Sequence, residues 1–241
     1  MNVGARRVAV SPTRNQPGHY YGPDTRLSSW EPVAVRLDLR HFERMQQVAR
    51  PGRRPAAILF ADLGSPSPMA KRLSTASYFA LGRRMTRAAD QCVINAGGHV
   101  GHGVVAFFLA EGAGSNQLRH APASKTRWTH VVACSDLAPE DLLMRFGLHW
   151  GATLYVGQIA SSGRAEVTAL GDDVNEGARI EACATGGRAL VSKDLLERLE
   201  PEDAVALELD PDHITHTPLA DLPTATEKAR RDAPAIAVCE V

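Results

Sequence analysis

Apolar and polar positions change period several times along the chain, and each change predicts an element. Val33, Val35, Leu37 and Leu39 alternate with other residues as in a strand, and Phe42, Met45 and Val48 then recur at helical spacing. The Pro51-Gly52-Arg53-Arg54-Pro55 stretch ends that unit. Residues 56–63 form a continuous apolar run interrupted only by Asp62, which predicts a buried strand with one carboxylate near its tip. Between 69 and 96 the spacing predicts one long helix, with Leu81, Met85, Ala88 and Cys92 as its apolar stripe and Gly97-Gly98 as its stop. A strand is predicted over 104–108, the pattern is lost over 110–129, and 139–144 predicts a short helix. Val167 and Ala169 flank Thr168 in a strand pattern, Gly171 permits a sharp turn, and Asp172 or Asp173 is suited to cap the helix that follows. Ser192 is placed to cap a helix over 193–199, and 235–238 reads as a closing edge strand.

The remaining bulk properties narrow the classes. At 241 residues the chain suits one domain with extensions. Lys plus Arg and Asp plus Glu balance at 27 each, so no basic field argues for a nucleic-acid partner. Residues 1–32 are rich in Pro, Gly, Ser, Arg and Asn and read as a flexible lead, too poor in apolar runs for a signal peptide. No apolar run approaches membrane-spanning length. Cys92, Cys134, Cys183 and Cys239 show no zinc or redox spacing and fit free, buried thiols in a reducing compartment. A cytoplasmic protein without a membrane anchor is expected.

Two places carry chemistry. Asn175 and Arg179, four apart, share one helix face just past a strand end; they suit a sugar oxygen and a phosphoryl charge, or else form an ordinary solvated face. Asp62 suits either a turn or a metal ion. With His99 and His102 it would make a set of two imidazoles and one carboxylate, better matched to zinc, copper or nickel than to magnesium.

The wording around the first place, Thr-x-x-Gly-Asp-x-Val-Asn-x-x-Ala-Arg-x-Glu from Thr168 to Glu181, resembles the class III adenylate/guanylate cyclase catalytic domain. The flanks agree: Arg145-Phe146-Gly147-Leu148-His149-Trp150-Gly151 with Tyr155-Val156-Gly157 is similar to the strand pair before that motif, and 187–192 to the strand after it. The resemblance spans about residues 55–200, leaving 1–50 as a lead with a small accessory element and 201–241 as a C-terminal extension. It implies an α+β, ferredoxin-like (split βαβ) domain with a mostly antiparallel sheet and helices on one face. It also implies head-to-tail pairing, as a homodimer or with another cyclase domain, each site taking metal aspartates from one chain and the Thr/Asn/Arg set from the other.

By the same resemblance the substrate is ATP or GTP, with cyclic AMP the favoured product, and the cofactor is Mg2+ or Mn2+. Asp62 would hold metal, Thr168 would help read the base, Asn175 would orient the ribose and Arg179 would stabilise phosphoryl charge. One segment departs from the family pattern. Gly97 to Gly103 runs about four residues short before a hairpin turn, which alters register. His102 stands where the second metal aspartate is expected, and no lysine stands at the base-reading position. Two readings follow: a nucleotide cyclase in signal transduction, weakened by this hairpin, or a catalytically silent cyclase-like module for dimerisation or nucleotide sensing.

Overall fold

The computed structural model describes residues 45–46, 48–64, 66–101, 105–110, 144–161, 164–185, 187–199, 209–210 and 213–241. The expectations for 1–42, 111–143 and His102 lie outside the described residues.

A central strand, β1 (Gly52–Leu63), organises the sheet. Its Ala57, Leu59, Ala61 and Leu63 join one buried cluster, while Ala56 and Ile58 join another. Burial on both faces is why this segment reads as an unbroken apolar run. Two helices follow, α1 (Pro66–Arg72) and α2 (Thr75–Asn95), where the sequence predicted one. The break is at Ser74, whose backbone is extended and whose Oγ accepts the Ser77 N–H at 3.1 Å, so a new N-cap starts α2. Leu81, Met85 and Cys92 are buried as expected, with Ala89 and Val93 widening the stripe. Gly97, at φ 82°, turns the chain out of the helix.

After that turn β2 (His99–Val100) pairs antiparallel with β3 (Val105–Leu109), and the Gly101 N–H donates to the Val105 carbonyl at 2.7 Å; residues 102–104 between them lie outside the described residues. Next, β4 (Met144–Ser161) is one strand of 18 residues where the resemblance suggested two. A register shift opposite Arg54 and Ala56 divides it: the first part lies between β1 and β6 (Ala189–Ser192), and the second pairs with β5 (Arg164–Leu170). The motif helix is α3 (Asp172–Cys183).

The strand order is β2-β3-β1-β4-β6-β8-β7, with β5 on β4. Only β4 and β6 run parallel among these pairs, so the expected α+β fold with a mostly antiparallel sheet is what the chain adopts. The last strand, β8 (Ala237–Glu240), is interior, because β7 (Thr217–Pro218) lies outside it; the sequence placed it at the edge. Ser192 precedes a helix of four residues, α4 (Lys193–Leu196), without a side-chain cap bond. A final helix, α5 (Glu227–Asp232), is capped by the Thr226 hydroxyl. Its Ala229, with Ala233, Leu219 and Val238, packs against Ile180 and Cys183 of α3. Cys92, Cys183 and Cys239 are buried. Among the described residues, no helix is long and apolar enough to cross a membrane.

Candidate functional site

The two helices that matter lie on opposite faces of the sheet, not on one face as the resemblance implied, because alternate β4 positions pack against each. Leu81, Met85, Ala89 and Val93 of α2 pack with Phe146 and Leu148 of β4. The alternate β4 positions, Gly147 and His149, meet α3 instead, because successive side chains of a strand point to opposite faces. The approach is close: a Cβ on Gly147 would lie 2.4 Å from the Glu181 backbone nitrogen, and one on Gly177 would lie 3.0 Å from the Phe60 ring. Glycine at both positions therefore lets α3 rest directly on β1 and β4.

The turn into α3 is made by Gly171 at φ 148°, a conformation that side-chain-bearing residues rarely adopt. Gly171 itself occupies the N-cap, and no side chain caps the helix. Asp172 and Asp173 sit in the first turn instead of at the cap, where they still complement the helix dipole.

At the far end of α3 a charged row forms. Asp62 and Arg145 face each other across β1 and β4, and Arg145 Nη2 donates to Asp62 Oδ2 at 2.9 Å. The other Asp62 oxygen accepts the Leu63 N–H at 2.8 Å. Arg145 Nε also stands 2.5 Å from Glu181 Oε1, close enough for ion pairing although the two atoms are not aligned as a hydrogen bond. Glu181 is buried, and that desolvation pushes its carboxyl above the ordinary value while the Arg145 charge pulls the other way. Asp62 is thus an exposed carboxylate with one cationic neighbour. It suits a single magnesium or manganese ion that takes its remaining ligands from phosphate oxygens.

The Thr/Asn/Arg set points elsewhere. Gly177 and Glu181 define the sheet-facing side of α3, and at about 100° per residue Asn175 and Arg179 fall on its far side. Asn175 is exposed. Arg179 Nε donates to Asp232 Oδ2 of α5 at 3.0 Å, which leaves its terminal amino groups for other partners. Arg231 and Arg179 together hold the Asp232 carboxyl down at about 2, Arg231 contributing most. Thr168 lies on the face of β5 opposite Val167 and Ala169, both buried, and its cross-strand neighbour is Gly157. On that same face Tyr155, Ile159 and Leu170 form an exposed apolar row, Leu170 at 65%.

His99 and Asp62 do not come together. His99 pairs with Phe107, which pairs with Ile58. Two strand spacings and four residues along β1 separate it from Asp62, about 16 Å. The proposed set of Asp62, His99 and His102 is therefore overturned by the register. Sequence reasoning missed Arg145, Glu181 and Asp232 as partners of the named residues. Arg145 lay within the quoted flank, but only the β1/β4 register shows what it faces.

No family model matches the sequence, and no curated protein does. Solved structures do. The guanylyl cyclase Cya2 superposes with a TM-score of 0.60 at 21% identity, covering 80% of this chain and 94% of that one. The adenylyl cyclase CyaB from P. aeruginosa gives 0.55 at 16%, covering 80% and 96%. An adenylate/guanylate cyclase/hydrolase from Silicibacter pomeroyi gives 0.52 at 22%, covering 79% and 98%. Identities this low speak to architecture alone, and on that ground the chain has the fold of adenylyl and guanylyl cyclase domains.

Proposed function

We propose that this chain is a nucleotidyl cyclase domain, working as a homodimer or beside another cyclase domain, that converts ATP in preference to GTP into a cyclic nucleotide. The observation that carries the reading is the opposed orientation of its two halves. Asp62 lies on the sheet side of α3, and Asn175 and Arg179 lie on the far side of the same helix. A site using both must take them from different protomers, as a two-fold pair arranged head to tail provides. The apolar row of Tyr155, Ile159 and Leu170 beside Thr168 supplies a surface for that pairing.

In the reaction the ribose 3′ oxygen attacks the α-phosphorus and gives up its proton to solvent. The bond to the β-phosphate oxygen breaks, and diphosphate leaves. Asn175 holds the ribose in line, Thr168 contacts the base, and the terminal amino groups of Arg179 face the charge that grows on the phosphoryl oxygens. Asp62 holds Mg2+ or Mn2+, which when bound neutralises phosphate charge. Arg145 beside Asp62 weakens that affinity, and the short hairpin brings no second carboxylate in its quoted sequence, so turnover is slow.

The test is incubation of purified protein with ATP or GTP and Mn2+, following cyclic nucleotide and diphosphate. Product that disappears in Arg179→Ala is the expected result. A specific observation favours the second reading, a silent dimerisation or nucleotide-sensing module: Asp62 and Arg179 are both committed to partners within the chain. Binding of nucleotide without product from either triphosphate would establish that module instead.

A further inference from the structure

We infer that His149, Asp173 and Glu176 form a binding site for a first-row transition-metal dication, separate from Asp62, that ties the first turn of α3 to β4. One ligand atom from each of the three side chains lies within 4.8 Å of the other two. His149 Nε2 and Glu176 Oε2 are 3.0 Å apart. Two ligands on one zinc ion at tetrahedral angles stand about 3.3 Å apart, so only a small rotation of Asp173 is needed to close the set.

The imidazole distinguishes this group from an ordinary acidic patch. His149 is 3% exposed, its Nε2 faces Glu176 Oε2, and its Nδ1 has no hydrogen-bond partner among the described residues. A Cβ on Gly177 would sit 3.6 Å from His149 Cβ, an ordinary van der Waals distance, so the second turn of α3 lies against the His149 side chain. Asp173 is not engaged in capping the helix, and both carboxylates are half-buried, so they stay accessible to an ion from solvent. One nitrogen and two carboxylates suit zinc or manganese, whereas magnesium prefers an all-oxygen shell.

The site is not the one at Asp62. His149 stands opposite Ile58, four residues before Asp62, about 13 Å along the strand. A metal there would act on architecture: Asn175 lies between Asp173 and Glu176, so the ion fixes the turn that carries it. Because Nδ1 lacks an acceptor among the described residues, affinity should fall about 10–100-fold short of a site whose histidine is anchored by a second hydrogen bond.

The experiment is calorimetric titration of the full chain with ZnCl2 in the absence of nucleotide, repeated with MnCl2 and MgCl2. One zinc per chain is expected at this site, with weaker manganese binding and no magnesium binding. Asp173→Asn and Glu176→Gln should each weaken zinc at least tenfold, and His149→Gln should abolish this class of binding. Asp62→Asn should leave zinc binding unchanged. Circular dichroism identifies any variant that fails to fold, and Asp173→Asn, on an accessible turn, keeps the test decisive if His149→Gln does not. Co2+ loading adds a direct readout, since a nitrogen-ligated ion gives a visible absorption band that Glu176→Gln should diminish. Zinc affinity unchanged in all three ligand variants, or lost equally in Asp62→Asn, would overturn the proposal. Neither outcome bears on cyclase turnover.

Discussion

Replacing Arg145 by methionine keeps an aliphatic stem between β4 and α3 but leaves Glu181 without its cation. Glu181 has a side-chain exposure of 11%, and Arg145 and Asp62 stand at 29% and 58%. Breaking a fully buried pair costs about 3–5 kcal/mol. Arg145 is partly solvated, so we expect about 2 kcal/mol for the Glu181 side and at most about 1 kcal/mol for the exposed Asp62 side. The sign with pH follows from the raised Glu181 carboxyl. The folded state holds this proton more tightly than the unfolded chain, so stability falls as pH rises from the unfolded value through the folded one. The Arg145 charge opposes that rise, and its removal deepens the loss at neutral pH while leaving acidic conditions little changed. Urea denaturation at about pH 7.5 and about pH 5 should give the larger deficit at the higher pH. Adding Glu181→Gln to Arg145→Met should recover most of it. An equal deficit at both pH values, with no recovery from glutamine, would refute the account of this row.

Gly147→Ala should lower stability by about 1–3 kcal/mol, since its Cβ would meet α3 backbone that cannot rotate away. Gly82→Ala, in an open position within α2, should instead raise it by about 0.5–1 kcal/mol, and thermal melts of the two variants check both signs. Arg179→Ala should preserve the fold while removing about 2.7–4 kcal/mol of barrier lowering from cyclase turnover, a loss read from kcat. Leu170→Arg, on the exposed row, should shift sedimentation toward monomer without changing the far-ultraviolet spectrum.

Much of the frame was legible because it is encoded locally. The apolar run ending at Asp62, the Leu81/Met85/Cys92 stripe and the strand, Gly171 turn and helix all lie within single segments. Local ambiguity accounts for the smaller misses. Asp172 and Asp173 are good capping residues, but the strained turn at Gly171 takes the cap one residue earlier. Ser74 splits a periodic stretch because one hydroxyl in the right place starts a new helix. Whether β8 is an edge depends on two residues of β7, one of them a proline, too short a pattern to read as a strand. The site's partners were not legible for a different reason. Arg145 reaches Asp62 across 83 residues and Arg179 reaches Asp232 across 53, and no spacing rule spans a register set by the whole sheet.

Complementation between two inactive chains tests the two-chain site most directly. Asp62→Ala and Arg179→Ala are each expected to yield no cyclic nucleotide from ATP with Mn2+, because every site in either homodimer lacks one half. Mixed in equal amounts and allowed to exchange, they should recover about a quarter of the wild-type rate, since half of the dimers are mixed and each mixed dimer holds one intact site. A mixture that stays inactive while the wild-type chain turns over, or an Asp62→Ala chain that is active alone, would contradict it.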